Sequence, residues 1–276
     1  MIVRRLWAVA LALGLAGCAL PISPTSYSDA SRIQRLGQLL PADAILLGEQ
    51  HDAPDHQQAQ RVVVQALIAR QVLAALTLEM ASQGQSTQSL APDASEEAVR
   101  AALQWNNQGW PWAAYGPTVM TAVRAGVPVL GANLPNARLR EAMANQELET
   151  RLSRPALQAQ QQNIRQGHCE MLPESQIAPM TRVQIARDMA MAQTVTQASR
   201  PGKIVVLLAG GGHVDRSLGV PLHLAPTIKA KAVLMQSEQA SEDKNEAANF
   251  DAIWPAQAAP PVDYCAKFGA TRRPPA

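Results

Sequence analysis

Five short apolar runs, each long enough for one buried strand, end in polar or glycine residues, and helix-like stretches separate most of them. Strands that alternate with helices form a largely parallel sheet. The pattern therefore predicts an α/β fold in which a mostly parallel central sheet is flanked by helices and carries a helical insertion. The runs span residues 44–47, 74–78, 127–130, 203–208 and 231–235.

Acidic and histidine side chains follow three of these runs. Glu49 and His51 come after the first run, Glu79 ends the second, and His213 follows three glycines after the fourth. The carboxyl ends of parallel strands meet at one edge of a sheet, where ligands bind, so we expect these four side chains to lie close together. Carboxylates and imidazoles bind metals and transfer protons, although each would also serve in a simple structural hydrogen bond.

The amino terminus has the pattern of a secretory leader. Two arginines precede an apolar stretch, residues 6–15, that is too short to span a bilayer. Residues 15–18, Leu-Ala-Gly-Cys, resemble the lipobox of bacterial lipoproteins, which implies cleavage before Cys18 and acylation of that cysteine, palmitate included. An ordinary secretory signal with an incidental cysteine is the alternative. Ala19 stands where an aspartate would retain many lipoproteins in the inner membrane, which favours the outer membrane, facing the periplasm.

The charge of the predicted mature chain is balanced. Removal of residues 1–17 takes away two arginines and leaves 22 basic and 22 acidic residues, which argues against a nucleic-acid partner. No second apolar run reaches the length of a membrane span. We expect a signal peptide over 1–17, a flexible tether over 18–31, one α/β domain over 32–268 and a disordered tail over 269–276.

Two cysteines remain once Cys18 carries lipid. Cys169 and Cys265 form an even pair, and in an oxidising periplasm such a pair is most simply a disulfide. It would close a loop of about 95 residues and stabilise the fold by about 3–5 kcal/mol on the chain-entropy model. A thiol pair serving a metal is the rival interpretation, and the lack of a close-spaced sulfur partner for either cysteine speaks against it.

Aromatic residues are concentrated in one segment. The predicted mature chain has nine, and four of them lie within residues 105–115: Trp105, Trp110, Trp112 and Tyr115. Glycine and proline residues in and after the segment predict a loop rather than a regular element. Such a cluster indicates a surface for a flat apolar ligand or a partner. The alternative is a satellite hydrophobic cluster that pins the loop to the body of the domain.

Several motifs occur in an order that resembles one known family. Together with the lipobox, they are similar to those of the ChaN-like haem-binding lipoproteins, a branch of the Tiki and erythromycin-esterase superfamily, over about residues 35–265. The motifs are Gly48-Glu49-Gln50-His51-Asp52, Leu78-Glu79-Met80, Trp110-Pro111 with Tyr115-Gly116-Pro117, Ala132-Asn133-Leu134-Pro135, His168-Cys169, Gln184 with Arg187-Asp188, and Gly211-Gly212-His213.

The resemblance implies a haem-binding α/β lipoprotein connected with haem or iron uptake, with a homodimer as one option. It also implies a tyrosine as the axial ligand of the haem iron, since a phenolate oxygen suits ferric iron. Tyr115 matches the motif best, and Tyr27 and Tyr264 stay open as alternatives. Lipid on Cys18 would hold the protein at a membrane.

The same resemblance assigns further residues to a haem site. We expect Trp110 and Trp112 to pack on the porphyrin. His51 or His213, with Glu49 in the same cofactor-binding set, would stabilise the tyrosine phenolate or a bound water by hydrogen bonding. The resemblance implies haem as the cofactor. A nucleotide is not expected, because the glycines before His213 lack both the lysine and the spacing of nucleotide-binding loops.

A metal-dependent hydrolase is the alternative function. In hydrolytic branches of the superfamily, acids and histidines at matching positions bind metal or activate water, and here these are Glu49, His51, Glu79 and His213. They would hold a divalent ion or act as acid–base pairs. A third interpretation is a scaffolding lipoprotein, in which these four side chains make only structural hydrogen bonds. The uneven distribution of aromatic residues speaks against it. We favour haem binding without enzymatic activity.

Overall fold

The computed structural model describes residues 27–237, 248–259 and 262–266. The strands are β1 (Ala44–Glu49), β2 (Leu73–Ser82), β3 (Val129–Asn133), β4 (Ile204–Gly210), β5 (Ala230–Ser237) and β6 (Ala252–Ala256). The α-helices are α1 (Asp29–Leu39), α2 (Pro54–Ala69), α3 (Glu96–Ala102), α4 (Trp112–Arg124), α5 (Leu139–Ala144), α6 (Arg154–Gly167) and α7 (Glu174–Ala198). Short 3₁₀ segments lie at Asn136–Arg138, Gln146–Arg151, Gly211–Val214 and Val220–His223.

The six strands form one sheet in the order β3-β2-β4-β1-β5-β6, and every neighbouring pair is parallel. The predicted α/β fold with a mostly parallel sheet is therefore confirmed, and all five predicted strands are present with somewhat different ends. The sequence pattern does not predict β6, which pairs only with β5. Pro255 lies inside it, and a proline argues against a strand unless that strand lies at the edge of the sheet.

Each face of the sheet has its own hydrophobic core, because successive side chains of a strand point to opposite faces. Helices α1 to α4 cover one face, where Leu47, Leu78 and Val206 pack against them. Helix α7 covers the other face, where Leu46 and Leu207 pack. The helical insertion, α5 and α6, packs on α7 rather than on the sheet.

Two helices begin earlier than the sequence pattern predicts. Helix α4 begins at Trp112, so Tyr115 lies on a helix, although the glycines and prolines of this segment predict a loop that ends only near residue 117. Pro117 is inside α4, where it removes one backbone hydrogen bond. Helix α7 begins at Glu174 and contains Pro179, whereas the apolar pattern predicts its start at residue 180. In both cases tertiary packing overrides a local signal against helix.

Some predicted segments lie outside the described residues. These are the signal peptide over 1–17, the lipidated Cys18, most of the tether and the tail over 269–276. The tether predicted over 18–31 overlaps a helix, because α1 begins at Asp29, and the Ser28 hydroxyl caps it by accepting from the N–H of Ser31. Among the helices that the structure describes, none combines the length and apolar character needed to cross a bilayer.

Candidate functional site

The candidate site lies where two neighbouring strands send the chain to opposite faces of the sheet. Strands β1 and β4 pair side by side, with Glu49 opposite Gly210 at their carboxyl ends. After β1 the chain enters α2 on one face, and after β4 it turns to the other face, where Val214 packs in the α7 core. Such a divergence opens a crevice at which parallel α/β sheets bind ligands. We call it the rim crevice, and the turn after β1, residues 50–53, the rim loop.

Two buried carboxylates border the rim crevice, one on each face of the sheet. Glu49 of β1 points to the face covered by α2 and α4, and its side chain has 0% of its surface exposed. Glu79 of β2 points to the α7 face, and its side chain is 6% exposed. An ionised carboxylate is costly to bury without partners. The partners of the two residues therefore decide what each can do.

Three hydrogen-bonding groups surround Glu49. The hydroxyl of Tyr115, on α4, donates to Oε1 over 2.6 Å, and the amide of Gln60, on α2, donates to Oε2 over 2.6 Å. Nδ1 of His51 lies 2.8 Å from the same Oε1. Burial and the negative charge of Glu49 raise the pKa of Tyr115 well above its ordinary value, so its hydroxyl keeps the proton that it donates. The carboxylate is thus fixed from two helices and the rim loop.

A row of ionisable groups surrounds Glu79. Oε2 accepts a hydrogen bond from the N–H of Gly210 over 2.7 Å, and Oε1 lies 3.5 Å from Nε2 of His213. Nδ1 of His213 in turn lies 2.5 Å from Oδ1 of Asp188, on α7. The side-chain amide of Gln184 lies 3.1 Å from Nε2 of His213. The three ionisable side chains of this row are all buried.

The pKa values indicate that the row holds a charged imidazolium between two carboxylates. Burial lowers the pKa of His213, but the charges of Glu79 and Asp188 outweigh it and raise the pKa to about 10. Burial raises the pKa of Glu79, but the charge of His213 outweighs it and lowers the pKa to about 2. At Asp188 burial dominates and raises the pKa to about 6, although His213 opposes it. The row is therefore an enclosed ion pair with a second, more readily protonated carboxyl group.

His51 connects the two carboxylates across the edge of the sheet. Its Nδ1 bonds to Glu49, and its Nε2 lies 4.0 Å from Oε2 of Glu79. The side chain is 41% exposed, and within the described residues its Nε2 makes no hydrogen bond. Burial lowers the pKa of His51, while the hydrogen bond to Glu49 and the charges of both carboxylates produce a net increase. His51 is the group through which the buried network meets solvent.

Gly210 leaves room beside the His51 ring. A β-carbon at position 210 would lie 3.0 Å from Nε2 and 3.2 Å from Cε1 of His51, which is closer than side chains normally approach. It would also lie 3.7 Å from Oε2 of Glu79. The backbone of Gly210, with φ −61° and ψ 151°, is open to any residue. The absence of a side chain here consequently matters for space around the imidazole and not for the shape of the chain.

Helix α2 holds the rim loop in place. The N–H of Gln50 donates to Nδ1 of the buried His56 over 2.9 Å, and the side-chain amide of Gln57 donates to the carbonyl oxygen of His51 over 2.9 Å. Burial lowers the pKa of His56 to about 4, so this imidazole is neutral and able to accept. The loop that carries His51 is thus anchored by two side chains from the first turn of the next helix.

The aromatic segment places one of its two candidate tryptophans at His51. The ring of Trp110 meets the His51 ring edge-on, with 4.7 Å between centroids. Trp112 turns to α3 instead, where its indole N–H donates to Glu96 over 2.9 Å and its ring packs against Trp105 with 5.0 Å between centroids. Trp110 therefore lies beside His51, whereas Trp112 packs with Trp105 and is bonded to α3. Contact of either ring with a porphyrin stays a prediction.

Tyr115, the predicted axial ligand, is enclosed. The residue is 1% exposed, its hydroxyl is bonded to Glu49, and the rings of Trp105 and Trp110 pack around its own ring. Iron would reach the phenol oxygen only if that hydrogen bond and this packing were both broken. The role of Tyr115 as a ligand stays a prediction, and the geometry here does not favour it.

The predicted alternative metal site does not form a metal-binding arrangement. Within residues 27–237, 248–259 and 262–266, no three His, Cys, Asp or Glu side chains are grouped so as to hold a metal ion. The four residues predicted for it do lie together, but they are partners of one another in two separate networks. The predicted disulfide between Cys169 and Cys265 is present, so these two sulfurs do not serve a metal.

Reasoning from residue patterns alone does not select Asp188, Gln60 or His56 for the site. Asp188 lies on the buried side of α7, and a carboxylate there is itself a signal, since it needs a partner. His56 and Gln60 are four residues apart and both buried, so they share one face of α2. Polar residues on the apolar face of a helix could therefore have indicated that this face meets charged groups.

Comparison with solved structures shows that the fold is shared with ChaN of Campylobacter jejuni. ChaN of Campylobacter jejuni, described with cofacial haem binding, is 24% identical and superposes with a TM-score of 0.64, over 75% of this chain and 87% of that one. The type III effector HopBA1 is 15% identical, with a TM-score of 0.48 over 83% of this chain and 94% of that one. An erythromycin esterase variant in its open conformation is 14% identical, with a TM-score of 0.44 over 72% and 71%. The last two similarities are too low to support any argument about fold or function.

Comparison at the level of sequence gives a more specific result. No curated protein matches the chain significantly. A family model described as haem-binding uptake, Tiki superfamily, ChaN, matches residues 35–224, from α1 through the 3₁₀ segment Val220–His223. The match covers more than half of the sequence. It includes Glu49, His51, Glu79 and His213. The chain therefore belongs to the ChaN family of haem-binding uptake proteins within the Tiki superfamily.

Proposed function

We propose that this chain binds haem at the rim crevice, with Nε2 of His51 as the axial ligand of the iron. One observation carries the proposal: the His51 ring is half exposed, its Nδ1 is bonded to the buried carboxylate of Glu49, and its Nε2 makes no hydrogen bond within the described residues. Histidines that ligate metals typically hold their second nitrogen on a carboxylate in this way. Membership of a haem-binding family supports haem as the ligand.

The surroundings of His51 suit a flat ligand with an apolar face. The half-buried indole of Trp110 stands edge-on to the imidazole, and Gly210 keeps the space beside Nε2 free of a side chain. Trp rings contribute large apolar area with a defined geometry. A porphyrin that coordinates Nε2 would consequently find an aromatic contact close by and no side chain of residue 210 in its way.

In this proposal Tyr115 and Gln60 hold the carboxylate that orients His51. Both donate to Glu49, and Glu49 accepts from Nδ1 of His51. The orientation of the imidazole is thereby set before a ligand arrives, with Nδ1 held on Glu49 and Nε2 left to coordinate the iron in place of its proton. Tyr115 is a positioning residue here, which differs from the ligand role that the sequence motif predicts.

The proposal is tested by adding haemin to the purified full-length protein and following the Soret band. The wild type should give a saturable shift. His51→Ala should weaken binding at least tenfold and alter the spectrum, and free imidazole should restore the wild-type band because it can replace the missing ligand. His223→Ala is the matched control, since His223 is also partly buried but lies outside the rim crevice.

Three results would contradict parts of the proposal. An unchanged spectrum and affinity in His51→Ala would show that another residue ligates the iron. Loss of the iron-ligand band in Tyr115→Phe, with His51→Ala normal, would establish Tyr115 as the ligand instead. A wild-type protein that gives no saturable shift would overturn haem binding itself.

We further propose that the protein is lipid-anchored through Cys18 at the outer membrane, faces the periplasm and serves haem or iron uptake. The lipobox-like residues 15–18 support the anchor, and the family description supports uptake. Metabolic labelling with palmitate should mark the wild type but not Cys18→Ala. Cells lacking the protein should grow poorly with haemin as the iron source, and unlabelled wild type or normal growth would contradict these two points respectively.

A further inference from the structure

The segment of residues 262–266 reaches back to the rim loop from the far end of the chain. The Tyr264 hydroxyl donates a hydrogen bond to the Asp52 carboxylate, and Nε2 of Gln50 lies 3.5 Å from the same hydroxyl. Asp52 and Gln50 flank His51 in the sequence, and all three are exposed. A residue more than 200 positions away thus contacts both neighbours of the proposed haem ligand.

A disulfide holds this segment in place. Cys265, directly after Tyr264, is bonded to Cys169, in the connection between α6 and α7. The segment is therefore fixed at two consecutive residues, by a covalent bond to the helical insertion and by hydrogen bonds to the rim loop. These two contacts restrain where the Tyr264 ring lies.

The Tyr264 ring is exposed in a way that contrasts with the other tyrosine at the site. Tyr264 is 52% exposed, against 1% for Tyr115. An exposed aromatic ring bonded to both sequence neighbours of an exposed imidazole provides apolar surface that a flat ligand can cover. Residue 264 lies outside the part of the chain that matches the family, residues 35–224, so family membership does not account for it.

We propose that Tyr264 is a haem-contacting residue and that the Cys169–Cys265 disulfide positions it at the rim crevice. This inference rests on the proposed function and adds a second aromatic contact to the same haem site. The ring supplies contact area to the porphyrin, and the hydrogen bond to Asp52 orients the ring. Opening the disulfide removes the covalent restraint on the segment, so that the ring must be ordered when haem binds, and affinity falls accordingly.

Haemin titration of four full-length variants tests the proposal. Tyr264→Ala should weaken haemin binding about tenfold, whereas Tyr264→Phe, which keeps the ring, should weaken it less than about threefold. The double variant Cys169→Ser/Cys265→Ser, chosen because it leaves no free thiol to bind iron, should resemble Tyr264→Ala. Combining all three substitutions should weaken binding no further, because the disulfide acts through the tyrosine.

Controls separate a contact role from a stability role. Leu222→Ala truncates another exposed apolar side chain, 46% exposed, and should bind haemin as the wild type does. Thermal unfolding should occur at a lower temperature in the cysteine variant and at an unchanged temperature in Tyr264→Ala, so that a loss of affinity in the latter reports on contact.

The outcomes distinguish this inference from the proposed function. If the wild type binds haemin and Tyr264→Ala binds it equally well, Tyr264 is not a contact, while haem binding stands. If the effects of the tyrosine and cysteine substitutions add, the disulfide does not act through Tyr264, and the positioning part is wrong. If Tyr264→Phe is as weak as Tyr264→Ala, the hydroxyl and not the ring carries the effect, which also contradicts the proposal.

Discussion

Glu49 and Glu79 lie at the same edge of one sheet, and both are buried beside an imidazole, but they differ in what that imidazole can do. The carboxylate of Glu49 is satisfied mainly by neutral donors, and its imidazole, on His51, is half exposed. The carboxylate of Glu79 is paired with the enclosed, charged ring of His213. A buried ion pair cannot give up one partner without a large penalty. The exposure of the imidazole, rather than the presence of an acid–histidine pair, therefore separates the proposed haem-binding network around Glu49 from the enclosed ion pair around Glu79.

Breaking the enclosed pair should have the largest effect on stability. His213→Gln leaves Glu79 and Asp188 buried without the cation between them, and loss of one partner of a buried ion pair costs about 3–5 kcal/mol. We expect the free energy of unfolding, measured with urea, to fall by that amount. His223→Gln, a substitution outside this network, should change it by about 1 kcal/mol or less. A His213→Gln protein as stable as the wild type would show that the ion pair between His213 and Glu79 does not stabilise the fold.

Alkaline pH should reproduce part of that effect in the wild type. The pKa of His213 is raised from 6.5 to about 10 by Glu79 and Asp188, against the opposing effect of burial. The stabilisation from its charge is therefore complete below the unfolded pKa and is lost as pH rises through about 10. The free energy of unfolding should decline between about pH 7 and pH 10, and this decline should be much smaller in His213→Gln. Equal slopes in the two proteins would contradict the charge assignment.

Removing a hydrogen-bond donor to Glu49 should lower the free energy of unfolding by less. Tyr115→Phe deletes one of three hydrogen-bonding partners of Glu49, and a buried polar group that loses a partner costs about 1–3 kcal/mol. Urea unfolding should show this loss, while the haemin spectrum should keep its wild-type band. Tyr264→Phe, an exposed tyrosine, should change stability by less than about 0.5 kcal/mol. A band lost only in Tyr115→Phe would reverse the proposed roles of Tyr115 and His51.

The smallest effect on stability should come from placing a side chain against the exposed ring of His51. Gly210→Ala places a β-carbon 3.0 Å from Nε2 of His51, and the half-exposed ring can shift outward at little cost. We expect stability within about 1 kcal/mol of the wild type and haemin binding several-fold weaker. Gly212→Ala, where no atom lies within 4 Å of the new carbon, is the control. Unchanged haemin affinity in Gly210→Ala would place the ligand away from Nε2.

The meeting of Glu49, His51, Glu79 and His213 follows from the sequence, because it requires only that strands be parallel and that these residues follow strand ends. Their division into two networks does not follow, since it depends on the strand order. Only when β4 lies between β1 and β2 can His51 stand over Gly210 and approach Glu79. Strand order is set by contacts between residues far apart in the chain, which local patterns do not report.

The aromatic segment shows a different limit of prediction. Its glycine and prolines indicate a loop, yet α4 begins directly after Pro111, and this places Tyr115 on a helix that faces the sheet. Pro is favoured near helix starts as well as in turns, so the same residue supports both interpretations. Only the packing of Val119 and Val123 in the core decides between them. Tyr115 is consequently directed inward to Glu49 rather than outward to a ligand.

The rim crevice arises from the connectivity of two adjacent strands. After β1 the chain continues on one face of the sheet, and after β4 it continues on the other. The two turns beside it, residues 50–53 and 211–214, therefore lead to opposite faces of the sheet. They are nevertheless linked, because His51 of the first turn approaches Glu79, and Glu79 pairs with His213 of the second. A change in the charge of His51 would therefore alter the electrostatic environment of the ion pair on the opposite face of the sheet.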